Sequence, residues 1–120
     1  MKPPRSHIDY LEDIRQAAEK AVFFVGGMSL AAFTADEKTV YAVIRALEVI
    51  GEAVKHIPPD IRSQHTDVPW RSMAGIRDKL IHDYLTINVE VVWKTVVDDL
   101  PSLLTRLAPI VADARKNTGP

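Results

Sequence analysis

The chain contains no cysteine. Disulfides, thiolate metal sites and cysteine nucleophiles are therefore excluded. The absence fits a reducing compartment, so a cytoplasmic location is expected. Neither sign of charge dominates: Lys and Arg number 15, Asp and Glu 16, and the formal net charge is −1. That balance excludes a globally basic nucleic-acid-coating protein and a polyacidic tail, but leaves room for a local basic patch. No apolar run approaches the ~18 residues of a membrane span. The opening Met-Lys-Pro-Pro-Arg-Ser-His leads straight into a charged amphipathic stretch, which argues against a secretory signal. Glycine-rich phosphate loops, serine-centred catalytic signatures, internal repeats and low-complexity segments are missing as well.

What is present is a helical pattern. With 120 residues and 47% hydrophobic content, the chain reads as one domain over residues 1–120. A chain of this size buries about two thirds of the surface its unfolded form exposes. Ser6 and Asp9 read as the capping pair of a first helix. Its apolar residues, Ile8, Leu11, Ile14, Ala18, Val22 and Val25, recur at helical spacing until Gly26-Gly27. After a connector at 29–33, Thr34-Ala35-Asp36-Glu37 reads as the capping box of a second helix. Its buried stripe is Val40, Val43, Ile44, Leu47, Ile50 and Val54, and Pro58-Pro59 cannot continue it. Gly51 inside this helix costs about 1 kcal/mol relative to Ala, which points to close approach of another helix or to simple tolerance.

A short turn is expected around Asp60 to Gln64, and a third helix from Trp70 to about Ile81 or His82. Asn88 caps a fourth helix, whose stripe runs through Val89, Val92, Trp93, Val96, Val97 and Leu100. Pro101 kinks or restarts it, and Leu103, Leu104, Leu107, Ile110 and Val111 carry the stripe onward. Residues 115–120 read as a frayed tail. Period-two alternation is absent. The expected fold is all-α, an antiparallel four-helix bundle with short connecting helical turns.

The densest chemistry lies in Arg77-Asp78-Lys79-Leu80-Ile81-His82-Asp83-Tyr84. Arginine is a permanent cation with forked donors suited to phosphate oxygens. Histidine titrates near neutrality and can give or take a proton. Together they could cleave a phosphodiester without metal. His82 would move the proton of the 2′-hydroxyl or of the leaving oxygen, and Arg77 would hold the phosphate and stabilise charge at phosphorus. The plain alternative is that His82 serves the negative end of a helix dipole and Arg77 makes a surface ion pair. A five-residue step in a helix rotates about 140°, so the pair shares no stripe. A joint site requires the helix to end near His82, beside a two-fold dimer seam. Glu48, Glu52 and His56 form a second polar stripe at four-residue spacing. It lacks the Glu-x-x-His spacing of di-metal bundles, so no metal site is assigned there. Trp70 and Trp93 read as core or interface anchors.

The Arg-polar-x-x-x-His-x-Tyr run resembles the signature of the HEPN superfamily, and its tyrosine points to the HepT-like branch. Arg45 to Ala53 resembles that branch's second-helix motif. Val68 to Arg77 resembles its lead-in, Val92-Trp93 and Asp99-Leu100-Pro101 its last helix, and Tyr10 to Ile14 its first. The likeness covers about residues 5–110. It implies a homodimer, or a larger assembly, that acts as the toxin of a type VII-like toxin–antitoxin pair. It implies a metal-independent, cofactor-free ribonuclease with Arg77 and His82 as the catalytic pair and Asp78 as the supporting polar residue. Tyr84 matches the tyrosine that an MNT-type nucleotidyltransferase antitoxin modifies with AMP in related systems. The anionic adduct beside Arg77 would repel RNA phosphate. The competing reading is a non-catalytic helical module that binds a nucleotide or docks onto a nucleotidyltransferase. A purely structural dimer is the third, since fold alone does not settle function.

Overall fold

The computed structural model describes residues 4–80 and 86–116. The described residues form helices and loops, with α1 at His7–Phe24, α2 at Leu30–Ala35, α3 at Glu37–Val54 and α4 at Pro59–Gln64. Then come α5 at Trp70–Ala74, α6 at Ile76–Leu80, α7 at Val89–Lys94 and α8 at Leu100–Lys116. A single π-helical turn, Thr95–Asp99, joins α7 to α8. The all-α expectation holds. Three long helical stretches (α1, α3 and α7–α8) carry the core, and the short helices fill the ends and one flank.

Helix starts follow local chemistry. The Asp9 carboxylate accepts from the Ser6 backbone N–H at 2.9 Å, as the capping pattern requires. Asn88 accepts from the N–H of Val91 at 3.2 Å and starts α7. The cap of α3 is Asp36 rather than Thr34. Asp36 accepts from the N–H of Thr39 at 3.1 Å, whereas the Thr34 hydroxyl bonds back to the carbonyl of Leu30 within α2. The Thr39 backbone hydrogen bond holds the Asp36 carboxyl below its ordinary value. The cap's contribution is thus present above the unfolded carboxyl pKa and lost as pH falls through the lowered one. At the end of α1, Gly27 takes φ +79°, the left-handed conformation that glycine adopts without a steric penalty.

The core is continuous. Leu11, Ile14 and Ala18 of α1 meet the whole expected stripe of α3, and Leu103, Leu107, Ile110 and Val111 of α8 close the other side. Phe33 of α2 is fully buried and tilts against Trp93 at 5.4 Å between ring centroids. Trp70 is buried too, with its indole N–H donating to the carbonyl of His65 at 2.9 Å. At the surface Glu12 ties α1 to α8. It accepts from Arg15 at 2.6 Å and pairs with Arg115, and its hydrogen bond to Arg15 is the main reason that guanidinium holds its proton more tightly than usual.

Two differences from expectation bear on function. The third helix is interrupted. Its first turn ends at Ala74, Gly75 caps it, and α6 restarts at Ile76. The π turn is the second. One extra residue per turn keeps Val92, Val96 and Leu100 buried at four-residue spacing, but it swings Val97 out to 38% exposure.

Gly51 has a reason. A Cβ there would lie 3.1 Å from the Cγ2 of Ile76 and 3.1 Å from the carbonyl oxygen of Met73. The α5–α6 segment therefore sits directly on α3 at this point. Gly51→Val should destabilise the fold by about 1–3 kcal/mol through overpacking, read as a lowered urea midpoint with unchanged slope.

Candidate functional site

Ile76 and Leu80 are buried and anchor α6, so the intervening Arg77, Asp78 and Lys79 face outward. Arg77 leaves α6 on the side of α3. Its Nε lies 3.9 Å from the Oε2 of Glu48, with the arginine side chain 74% exposed. Glu48 is three residues before Gly51 and thus shares its face of α3. The contact that lets α6 approach α3 also sets Arg77 opposite Glu48.

At 3.9 Å and with the arginine 74% exposed, this pair is a loose one, worth little to stability. The guanidinium fork makes no hydrogen bond to any other described side chain and remains directed at solvent. Asp78 is likewise exposed and makes no ion pair among the described residues. His82 and Tyr84, the other two residues singled out in the sequence, lie in 81–85, outside the described residues. On either side of that segment the backbone is tied, because the N–H of Asn88 donates to the carbonyl of Leu80 at 2.9 Å.

The Glu48, Glu52 and His56 stripe is divided between separate tasks. Glu48 faces Arg77. Glu52 pairs loosely with Lys55 at 3.6 Å and with His56 at 3.7 Å. The His56 imidazole stacks on Tyr10 at 4.4 Å, the planes 9° apart, and Arg5 covers the Tyr10 ring at 4.8 Å. Among the described residues, no three His, Asp or Glu side chains gather as a metal-binding group.

On the other flank of α6 lies a cavity of about 410 Å³. Its floor is apolar, from Ile50, Met73, Ile76, Leu100 and Leu103. Its rim carries Lys79 and Arg106 among the cations and Asp98 and Asp99 among the anions, with Ser72, Ser102 and Thr95 between. Arg106 donates to the carbonyl of Asp67 at 2.7 Å. Lys79, Asp98 and Asp99 make no ion pair among the described residues. In the sequence Lys79 stands within the Arg77–Tyr84 run and Asp99 within the Asp99-Leu100-Pro101 likeness, and neither marks a pocket. No residue pattern announces that a π turn brings two adjacent carboxylates to the wall of a pocket beneath α6.

The profile of the Ribonuclease HepT-like family matches residues 8–110. A protein of Thermococcus cleftensis named "Probable ribonuclease HepT" is 54% identical over 99 residues, covering 82% of this chain and 90% of its own length. A protein of Caldanaerobacter subterraneus with RNase in its name is 41% identical over 111 residues, covering 92% and 96% of the two chains. A third, from Methanocaldococcus jannaschii and also with RNase in its name, is 42% identical over 104 residues, covering 87% and 86%. No solved structure matches the chain. No helix among the described residues is long and apolar enough to cross a membrane.

An exposed arginine in so long a pair contributes almost nothing to folding. Arg77→Ala should leave the unfolding free energy within about 0.5 kcal/mol of the parent, measured in urea. A larger loss would give Arg77 a structural role.

Proposed function

Since the chain belongs to the Ribonuclease HepT-like family and is a ribonuclease, we propose that it cuts RNA with Arg77 and His82, as the toxin of a toxin–antitoxin pair, in the cytoplasm. The observation that carries this reading is the placement of Arg77. It stands on the surface of α6, engaged only loosely by Glu48, three residues before the last described residue of that helix. A phosphate can displace a carboxylate held at that distance, since charge-assisted contacts to a permanent fork are shorter and stronger.

The reaction needs no imported group. The 2′-hydroxyl oxygen attacks the adjacent phosphorus, the bond from phosphorus to the 5′-oxygen breaks, and a cyclic phosphate and a free 5′-hydroxyl result. His82 takes the proton from the nucleophile or supplies one to the leaving oxygen. Arg77 neutralises charge on the non-bridging oxygens as it builds. Asp78 follows Arg77 as the supporting polar residue that the family likeness implies. Two chains in a homodimer would set two signatures beside one cleft, which suits a strand of RNA better than one exposed helix does.

Regulation follows from the same charge logic. A nucleotidyltransferase antitoxin of the MNT type would add AMP to the Tyr84 hydroxyl. The phosphate so placed is seven residues from Arg77 in sequence and would compete for it with RNA. The alternative, a non-catalytic nucleotide-binding or docking module, is favoured by no particular contact and is separated from the first by the experiments below.

Arg77→Ala and His82→Ala should each reduce cleavage of single-stranded RNA by about 10²–10⁴-fold and abolish growth inhibition, with helical content retained by circular dichroism. Parent protein that cleaves no RNA, or substitutions that leave toxicity intact, would sink this reading. Incubation with the cognate nucleotidyltransferase and ATP should add one AMP mass, and Tyr84→Phe should prevent it. An adduct mapped by mass spectrometry to another residue would remove Tyr84 from the scheme.

A further inference from the structure

We propose that the cavity beneath α6 is a subsite for one ribonucleotide unit of the RNA substrate. Lys79 holds a phosphate, Asp98 and Asp99 accept from ribose hydroxyls, and the base lies on the apolar floor. The proposal rests on RNA being the substrate and extends its path beyond Arg77.

Size comes first. A volume of about 410 Å³ falls within the ~300–1,000 Å³ typical of small-ligand sites. Composition is the second observation. A ribonucleotide has an anionic end, a hydroxyl-bearing middle and a flat apolar end. The cavity offers an ammonium, two carboxylates and a floor of Met73, Ile76 and Leu103. Carboxylates repel phosphate and accept well from sugar hydroxyls, as in dinucleotide sites. They thus fix the direction in which the unit lies. The 2′-hydroxyl adds a donor that a deoxyribose lacks, so the same pair distinguishes RNA from DNA.

Unspent charge is the third observation. Lys79 and the two aspartates line one cavity and yet make no ion pair with each other. Opposite charges on flexible side chains normally meet where reach allows. Lys79 comes from α6 and the two aspartates from the π turn, and all three line the cavity without pairing. Asp98 and Asp99 close that turn and both line the cavity. π turns inside helices are frequent at functional sites.

Placement is the fourth. Two residues along a helix correspond to about 200° of rotation, so Arg77 and Lys79 leave α6 on opposite flanks. A strand crossing α6 meets one cation with one phosphate and the other with a phosphate further along, since the helix is about 10–12 Å wide. The nucleotide beyond Lys79 then descends into the cavity.

The test is an ¹⁵N-resolved NMR titration of the full chain with 5′-AMP and 5′-UMP, and with their 2′-deoxy counterparts. Saturable shifts should map to Lys79, Asp98, Asp99 and Ser102. The deoxy compounds should bind more weakly, and Lys79→Ala and the double variant Asp98→Asn with Asp99→Asn should each weaken 5′-AMP at least about tenfold. These positions are exposed, so the variants should retain the fold. In cleavage assays both should raise KM for single-stranded RNA more than they lower kcat. No saturable shift, shifts that map elsewhere, or unchanged affinity in the variants would overturn the proposal. Parent protein that binds 5′-AMP at this cavity but cleaves nothing would instead remove the cleavage reading and leave the subsite in place.

Discussion

The approach of α6 to α3 over Gly51 is the contact on which the rest depends. A side chain at that position would have to enter space held by Ile76 and by the backbone of Met73. Its absence lets a five-residue helix, too short to be stable alone, lie flat on a long one. Burial of Ile76 and Leu80 then fixes the rotation of α6. Once that rotation is set, Arg77 must face Glu48 and Lys79 must face the cavity. The cost of a glycine in a helix interior, about 1 kcal/mol, is offset by this packing. The stability term and the functional geometry share one origin.

Much of the fold was legible because it depends on spacing. The stripe from Val40 to Val54 is buried at every expected position, since a long amphipathic helix has only one way to hide its apolar face. Ser6 and Asn88 were legible as caps because their side chains act within three residues. The cap of α3 was misplaced by two residues for a related reason. Thr34 and Asp36 are both good caps, and α2 claimed Thr34 for an internal hydrogen bond. Local sequence could not rank the two without knowing that α2 exists.

The interruption at Gly75 and the π turn were not legible. Continuous helix and helix with one break bury nearly the same residues, so periodicity does not separate them. Val97 is the exception, apolar and yet turned outward. The site divides in the same way. Arg77 was identified by residue type and by the signature it sits in, and Asp78 went with it. Their environment, a loose pair with Glu48 on a different helix, needed tertiary contact to see. Asp99 registered only within the Asp99-Leu100-Pro101 likeness and Asp98 not at all, because their place on a cavity wall depends on tertiary packing that sequence pattern does not encode.

A small ribonuclease faces a constraint that large ones avoid. It has few residues with which to hold a flexible polyanion and still leave one cation free for the reacting phosphate. Strong ion pairs would neutralise its basic groups, and a globally basic surface would bind RNA without regard to position. Here the net charge is −1 and the cations that matter are placed singly. The carboxylate opposite Arg77 stands at 3.9 Å, close enough to orient the guanidinium and too far to saturate it. Asp98 and Asp99 line one cavity with Lys79 and make no ion pair with it. On the proposed reading, acidic neighbours that leave these cations unpaired serve selectivity. They lower indiscriminate attraction to phosphate, and they make occupancy depend on a ligand that satisfies cation, hydroxyl acceptor and apolar floor together. Sequence-independent binding meets only the first of these demands, so under the proposed subsite a chain with so little net charge would choose where along a strand it acts.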